Sequence, residues 1–193
     1  MLHTLIAVMQ DRPGVLNRAV SLFRRRGFNI ESLAVASTET PGLSRMTVVV
    51  NRDDVTQVVS QLQRLVDIVS VHDVTFDRAV TQEMCLVRLG PAGHRLAEIL
   101  GLAREFDARV VDASPQAMVL AIMDAPATIS AFLDRVQRFG IEEITRSGRI
   151  AMSMTTPARG ARPSPNANAN PKDFAPADPF QAQADGFADE EAA

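Results

Sequence analysis

An α+β fold made of two tandem units, each in the order β-α-β-β-α-β, is what this 193-residue sequence predicts. Three observations carry that expectation. Short apolar runs of strand length alternate with stretches whose hydrophobic residues recur every three or four positions. Clusters of Asp, Pro, Gly and Asn fall between them as turn signals. The same order is met twice, with the two halves meeting near residues 78–82.

Taken in order, Leu2 to Gln10 is short, apolar and closed by Asp11-Arg12-Pro13-Gly14, and reads as a strand. From Val15 the residues Val15, Leu16, Ala19, Val20, Leu22 and Phe23 recur at helical spacing, and Gly27 stops that helix. Residues 29–38 and 44–51 are strand-like, and Glu39-Thr40-Pro41-Gly42 joins them into an antiparallel hairpin. Asp53 and Asp54 can cap a second helix with Val55, Val58, Val59, Leu62, Leu65 and Val66 on its apolar face, before a strand over about 68–77. This is the ferredoxin-like pattern, in which two helices cover one face of a four-stranded antiparallel sheet.

The second unit repeats it. A strand at 83–89 precedes the break Gly90-Pro91-Ala92-Gly93 and a helix faced by Leu96, Ile99, Leu100, Ala103 and Phe106. Hairpin strands at 109–113 and 117–123 flank Ser114-Pro115. Asp124 as a possible cap and Pro126 in an early position open the last helix, faced by Ile129, Phe132, Leu133 and Val136. Gly140 ends it, and 141–154 supplies the final strand. The expected division is 1–79, 80–156 and a tail, 157–193, where Pro, Ala, Asn and Asp dominate and apolar periodicity vanishes. Such a composition cannot bury enough surface to offset its ordering entropy, so the tail is expected to be disordered, with Phe174, Phe180 and Phe187 as isolated apolar points.

Composition excludes several functions. Net charge is −3, and the tail holds six acidic residues against Arg159, Arg162 and Lys172, leaving 17 basic against 17 acidic elsewhere. That balance argues against nucleic-acid binding. Arg24-Arg25-Arg26 falls in the last turn of the first helix, where cations complement the helix dipole. The single cysteine, Cys85, excludes a disulfide within the chain and sits in an apolar run, as a buried inert thiol would. Apolar runs are far too short to cross a bilayer and no charged-then-apolar leader precedes the first strand, so a cytoplasmic protein is expected, without membrane contact. His3, His72 and His94 are widely separated, no Walker or G-x-G-x-x-G loop occurs, and no acid–base or nucleophile constellation stands out. Neither a metal site nor catalysis is expected.

The Asp11 turn is the chemically informative stretch. A helix start leaves backbone N–H groups without intrahelical partners and carries partial positive charge, so it can receive a carboxylate. Gly14 removes the Cβ that would keep a ligand away, and Asp11 can hold an ammonium group. One turn thus offers complements to both charges of a free amino acid.

A D-x-P-G-x-L turn opening a β-α-β-β-α-β unit resembles the ACT domain, a regulatory module that binds amino acids at domain interfaces. Arg26-Gly27-Phe28-Asn29-Ile30-Glu31-Ser32-Leu33 followed by Pro41-Gly42-Leu43-Ser44-Arg45-Met46-Thr47 is more specific, and looks like the small regulatory subunit of acetolactate synthase (acetohydroxyacid synthase). Leu65-Val66-Asp67 and Arg146-Ser147-Gly148 fit the same family. The resemblance covers about residues 1–154 and implies a chain without chemistry of its own. Its partner would be a catalytic subunit that uses thiamine diphosphate, Mg²⁺ and usually FAD to condense pyruvate with a second 2-oxo acid. The small subunit would raise that activity and confer feedback inhibition by valine, the pathway's end product. In the family the effector lies between ACT domains of two protomers, contacted by the turn before the first helix and by the asparagine after its C-terminal glycine.

Those features match Asp11, Gly14, Val15, Leu16 and Asn29, with Ile30 and neighbouring aliphatic residues as walls for the branched side chain. A homodimer is expected, because a sheet edge beside an interfacial site demands a second protomer. The second half lacks both the D-x-P-G turn and an equivalent of Asn29. A free-standing ACT sensor acting on another partner, such as a transcription regulator, is the alternative; it shares the turn but need not carry the Asn29 and Ser44–Thr47 segments.

Overall fold

The first strand, β1 (Leu2–Gln10), is almost wholly buried, and the chain leaves it through the expected turn into α1 (Val15–Arg25). In this computed structural model residues 1–154 are described; the expectation of a disordered tail at 157–193 lies outside the described residues. β2 (Ile30–Ser37) and β3 (Leu43–Asn51) form the hairpin, and α2 (Val55–Gln63) leads to β4 (Ile68–Asp73). The antiparallel sheet has the order β2-β3-β1-β4. Val15, Ala19, Leu22 and Phe23 of α1 and Val58 and Leu62 of α2 pack on the inward residues of the strands, among them Leu5, Met46 and Val48. The 3-4 spacing of the helices and the period-2 alternation of the strands meet on that face.

The second unit is β5 (Ala79–Leu89), α3 (Leu96–Glu105), β6 (Arg109–Ala113), β7 (Met118–Asp124), α4 (Pro126–Val136) and β8 (Ile141–Arg146). Its path β6-β7-β5-β8 repeats the first sheet, around a core that includes Cys85, Val87, Leu120, Ile129 and Phe132. Both units are ferredoxin-like, as expected.

Apart from one-residue shifts at the ends of β2, β3 and β7, four features differ from the expectation. β4 ends at Asp73 rather than 77, where Asp73 turns to accept the N–H of Thr75 at 3.0 Å. β5 starts at Ala79 rather than 83. The single strand expected at 141–154 is two, β8 and β9 (Ile150–Ser153), broken at Ser147-Gly148-Arg149, with Gly148 at φ 78°. β9 returns antiparallel along the first residues of β5, pairing Ala79 with Ser153 through Gln82 with Ile150. The break falls in the polar stretch Thr145-Arg146-Ser147-Gly148-Arg149, whose Ser-Gly pair is itself a turn signal, so the sequence carries a local cue against a single strand over 141–154. Finally, Ala125 rather than Asp124 is the N-cap of α4, although Asp124 accepts the Ala125 N–H. Pro126 does take the first position, and Asp54 caps α2 through the Gln57 N–H at 3.3 Å.

The β5–β9 ribbon ties the units together. Ala151 of β9 and Ala79 of β5 pack on Ile6 and Val74, on the face of the first sheet that its helices leave open. Among the described residues, no helix is long and apolar enough to cross a membrane.

Candidate functional site

Gly14 is the N-cap of α1, in the left-handed region at φ 84°, and no side chain caps this helix. The turn is locked to its surroundings. Asp11 donates its N–H to the Gly42 carbonyl at 2.8 Å, joining it to the β2–β3 turn, and Gln10 donates to the Asp67 carbonyl at 2.9 Å. The Val15 N–H leans back to the Arg12 carbonyl at 3.3 Å and the Arg18 N–H reaches the Gly14 carbonyl at 3.0 Å. The helix therefore presents the N–H groups of Leu16 and Asn17 outward at its start, beside the longer bond of Val15.

The six expected site residues divide into two groups. Asp11, Gly14 and Leu16 are exposed at one end of the sheet, and the Val15 side chain is core, so Val15 has only its backbone to offer there. Asn29 is exposed and Ile30 half-buried at the other end. Gln10 pairs with Leu43 and Ile30 with Val50, so the two groups are seven residues apart along β3, about 23 Å of strand. One chain does not bring them together.

Three side chains near these groups were not picked out by spacing. Arg18 donates through Nε to Asp67 Oδ2 at 2.7 Å, with Asp67 largely buried, and its Nη1 lies 3.4 Å from where a Cβ on Gly14 would stand. A guanidinium thus sits over the turn, one helical turn beyond Gly14. At the other end Asn29 donates through Nδ2 to Glu31 Oε1 at 2.7 Å. Arg18 was recoverable as the i+4 neighbour of Gly14; its pairing with Asp67, 49 residues on, was not.

Elsewhere, Arg146 grips Glu83 through Nε and Nη2 at 2.6 and 2.7 Å, and this contact raises the arginine above its ordinary range. Burial pushes the adjacent Cys85 thiol up, with Arg146 opposing and Glu83 reinforcing that shift. No group of three or more His, Cys, Asp or Glu able to hold a metal is found among the described residues.

The comparisons with known proteins agree with this architecture. The family model described as AHAS small subunit-like ACT domain matches residues 5–70, and that described as small subunit of acetolactate synthase matches 82–155. The chain is 42% identical over 154 residues to a protein of Archaeoglobus fulgidus described as a probable acetolactate synthase small subunit, covering 79% of this chain and 96% of that one. It is 37% identical over 153 residues to the acetolactate synthase small subunit of Mycolicibacterium smegmatis, covering 78% and 90%. The crystal structure of the Thermotoga maritima acetolactate synthase small subunit superposes with a TM-score of 0.74 at 32% identity, over 81% of this chain and 99% of that one. With its ACT unit followed by the C-terminal unit of the same relatives, the chain belongs to the acetolactate synthase small-subunit family.

Proposed function

We propose that this chain is the regulatory subunit of an acetolactate synthase. It binds a thiamine-diphosphate-dependent catalytic subunit, whose Mg²⁺ and FAD it does not itself hold, raises its activity, and makes it sensitive to valine. Family membership supports the regulatory role, and the layout of the first sheet supports the effector seat. The observation that carries the seat is the separation of the Asp11 turn from Asn29 on an edge strand. Among the described residues β2 pairs only with β3 in its sheet, which leaves its other side for a second copy. Across a two-fold axis two β2 strands run antiparallel, setting Ile30 of each near Ser37 of the other. Ser37 lies in the row of Ser44 and Met9, next to the Asp11 turn. A dimer therefore joins the halves that one protomer keeps apart, giving two seats per pair.

In each seat the amides at the start of α1 receive the carboxylate, Asp11 faces the ammonium, and the partner copy supplies an asparagine amide and an aliphatic wall. Discrimination among branched side chains is modest, since one methylene in an apolar pocket is worth ~1–3 kcal/mol, so leucine and isoleucine compete with valine. The test is to mix the purified chain with a candidate catalytic subunit and measure acetolactate formation with and without valine. Activation that valine reverses is expected; no change in turnover on adding the chain refutes the assignment.

A further inference from the structure

The Arg146-Ser147-Gly148-Arg149 turn, between β8 and β9, is held on both sides. Toward the second sheet, Arg146 clasps the buried Glu83 carboxylate in two hydrogen bonds, Ser147 donates its N–H to the Met84 carbonyl at 2.9 Å, and the Met84 N–H donates to Ser147 Oγ at 3.0 Å. Toward the first sheet, Arg149 donates its N–H to Ser32 Oγ at 2.8 Å and its Nη1 to Thr4 Oγ1 at 2.9 Å. Gly148 lies so close to β2 that a Cβ there would stand 2.9 Å from Ser32 Oγ and 3.2 Å from the Leu33 carbonyl oxygen. Four consecutive residues thus lock the second sheet onto β2 and β1.

The place on β2 where they lock, at Ser32 and Leu33, lies three to four residues from Asn29. The register shifts between Ile30 and Ser32, leaving Glu31 in a bulge, and Glu31 holds the Asn29 amide. A bulge leaves one residue unpaired and disrupts the ladder locally, so fewer backbone hydrogen bonds hold this point of β2 than its neighbours. Room for movement lies alongside: a cleft of about 510 Å³ between the units, lined by Glu31, Ser32, Glu83, Arg146 and Arg149 among others. Arg149 Nε is buried there without a hydrogen-bond partner, a cost that a second arrangement of the turn can relieve.

We propose that this turn is the joint through which occupancy of the effector seat is passed from the start of β2 to the second sheet, with Ser32, Gly148 and Arg149 as positioning residues. The inference rests on the effector seat described above. An effector that takes hold of Asn29 shifts the bulge, Ser32 moves with it, and the turn carries that displacement to Met84 and Glu83 on β5.

The test uses the full chain reconstituted with a catalytic subunit, comparing the parent with Ser32→Ala and Gly148→Ala. Three quantities are read: valine affinity of the free chain by calorimetry, valine affinity of the complex, and activity of the complex without valine and at saturating valine. Linkage requires that the catalytic subunit alter valine affinity by the factor with which valine alters the association, about 5- to 150-fold for couplings of ordinary size. In both variants that factor falls toward one and activity at saturating valine rises toward the uninhibited level. Affinity of the free chain and activation without valine stay within about twofold of the parent. Full inhibition with an unchanged factor in both variants overturns the proposal. Should Gly148→Ala fail to fold, Ser32→Ala, which deletes only an oxygen, decides the matter. Absence of valine binding to the parent, read before any variant, defeats the effector assignment itself and this inference with it.

Discussion

Gly14 shows at the scale of one residue how conformation and chemistry coincide. Its left-handed backbone admits a residue without Cβ most easily, and the position faces the Arg18 guanidinium. Gly14→Asp places a carboxylate in the proposed seat for the effector's own and within reach of Arg18, at a conformational cost of about 1–2 kcal/mol. The expected outcome is loss of valine inhibition in the reconstituted enzyme with activation kept; inhibition unaltered from the parent would mean the seat lies elsewhere. Cys85 is a second residue with a defined expectation. It is fully buried, and burial raises its pKa, so a thiol reagent leaves it untouched in the native chain and reacts once urea unfolds it. The sign of its pH effect follows from that direction. Below the ordinary thiol pKa of about 8.5 neither state loses the proton; above it the unfolded chain releases a proton that the folded chain keeps, so stability falls as pH rises. Cys85→Ala removes that part of the slope in urea titrations between pH 8 and 10.

Among elements, β2 and its neighbours matter most. The two helices of each unit bury one face of their sheet by ordinary 3-4 packing, and truncating the fully buried Phe132 on α4 should cost about 3–5 kcal/mol in urea unfolding. The Asp67 carboxylate and carbonyl join β4 to α1 and β1 through Arg18 and Gln10. Asp67→Ala is expected to cost about 1–3 kcal/mol and to loosen the Asp11 turn, seen as faster hydrogen exchange at Gln10 and Asp11. Most of this order was legible in the residues, because periodicity and turn chemistry act locally. The β8–β9 break was only half legible: the polar Arg146-Ser147-Gly148-Arg149 stretch signals a turn, but the need for a residue without Cβ at 148 lies 116 residues away, in the Ser32 oxygen that any Cβ would meet.

For the molecule as a whole, assembly is the decisive expectation. The proposed seat, with the Asp11 turn beside one end of the edge strand and Asn29 at the other, requires a pair, so light scattering at micromolar concentration should give a dimer, and monomer alone with and without valine would contradict it. Deleting residues 157–193 removes a stretch beyond both family matches, the second of which ends at 155. The truncated chain is expected to activate the catalytic subunit as the full chain does, and loss of activation would assign the segment a part in that contact.

Strand and helix identities and the twofold repeat of the β-α-β-β-α-β order were determined by the residues alone, because each depends on neighbours within a few positions; the expectation of an anion at the Asp11 turn comes from the same local chemistry. The resemblance of the Arg26–Leu33 and Pro41–Thr47 segments led to the family that the comparisons establish. Only the tertiary structure decided that the Asp11 turn and Asn29 stand at opposite ends of one sheet, that Arg18 is held over Gly14 by Asp67, and that a four-residue turn bolts the second unit to β2. These rest on contacts such as Ile30–Val50, Gln10–Leu43, Arg18–Asp67 and Ser32–Arg149, between residues separated by 20 to 117 positions. No local propensity encodes them, since they arise when independently formed strands choose their register and close-packed faces leave a single way to meet.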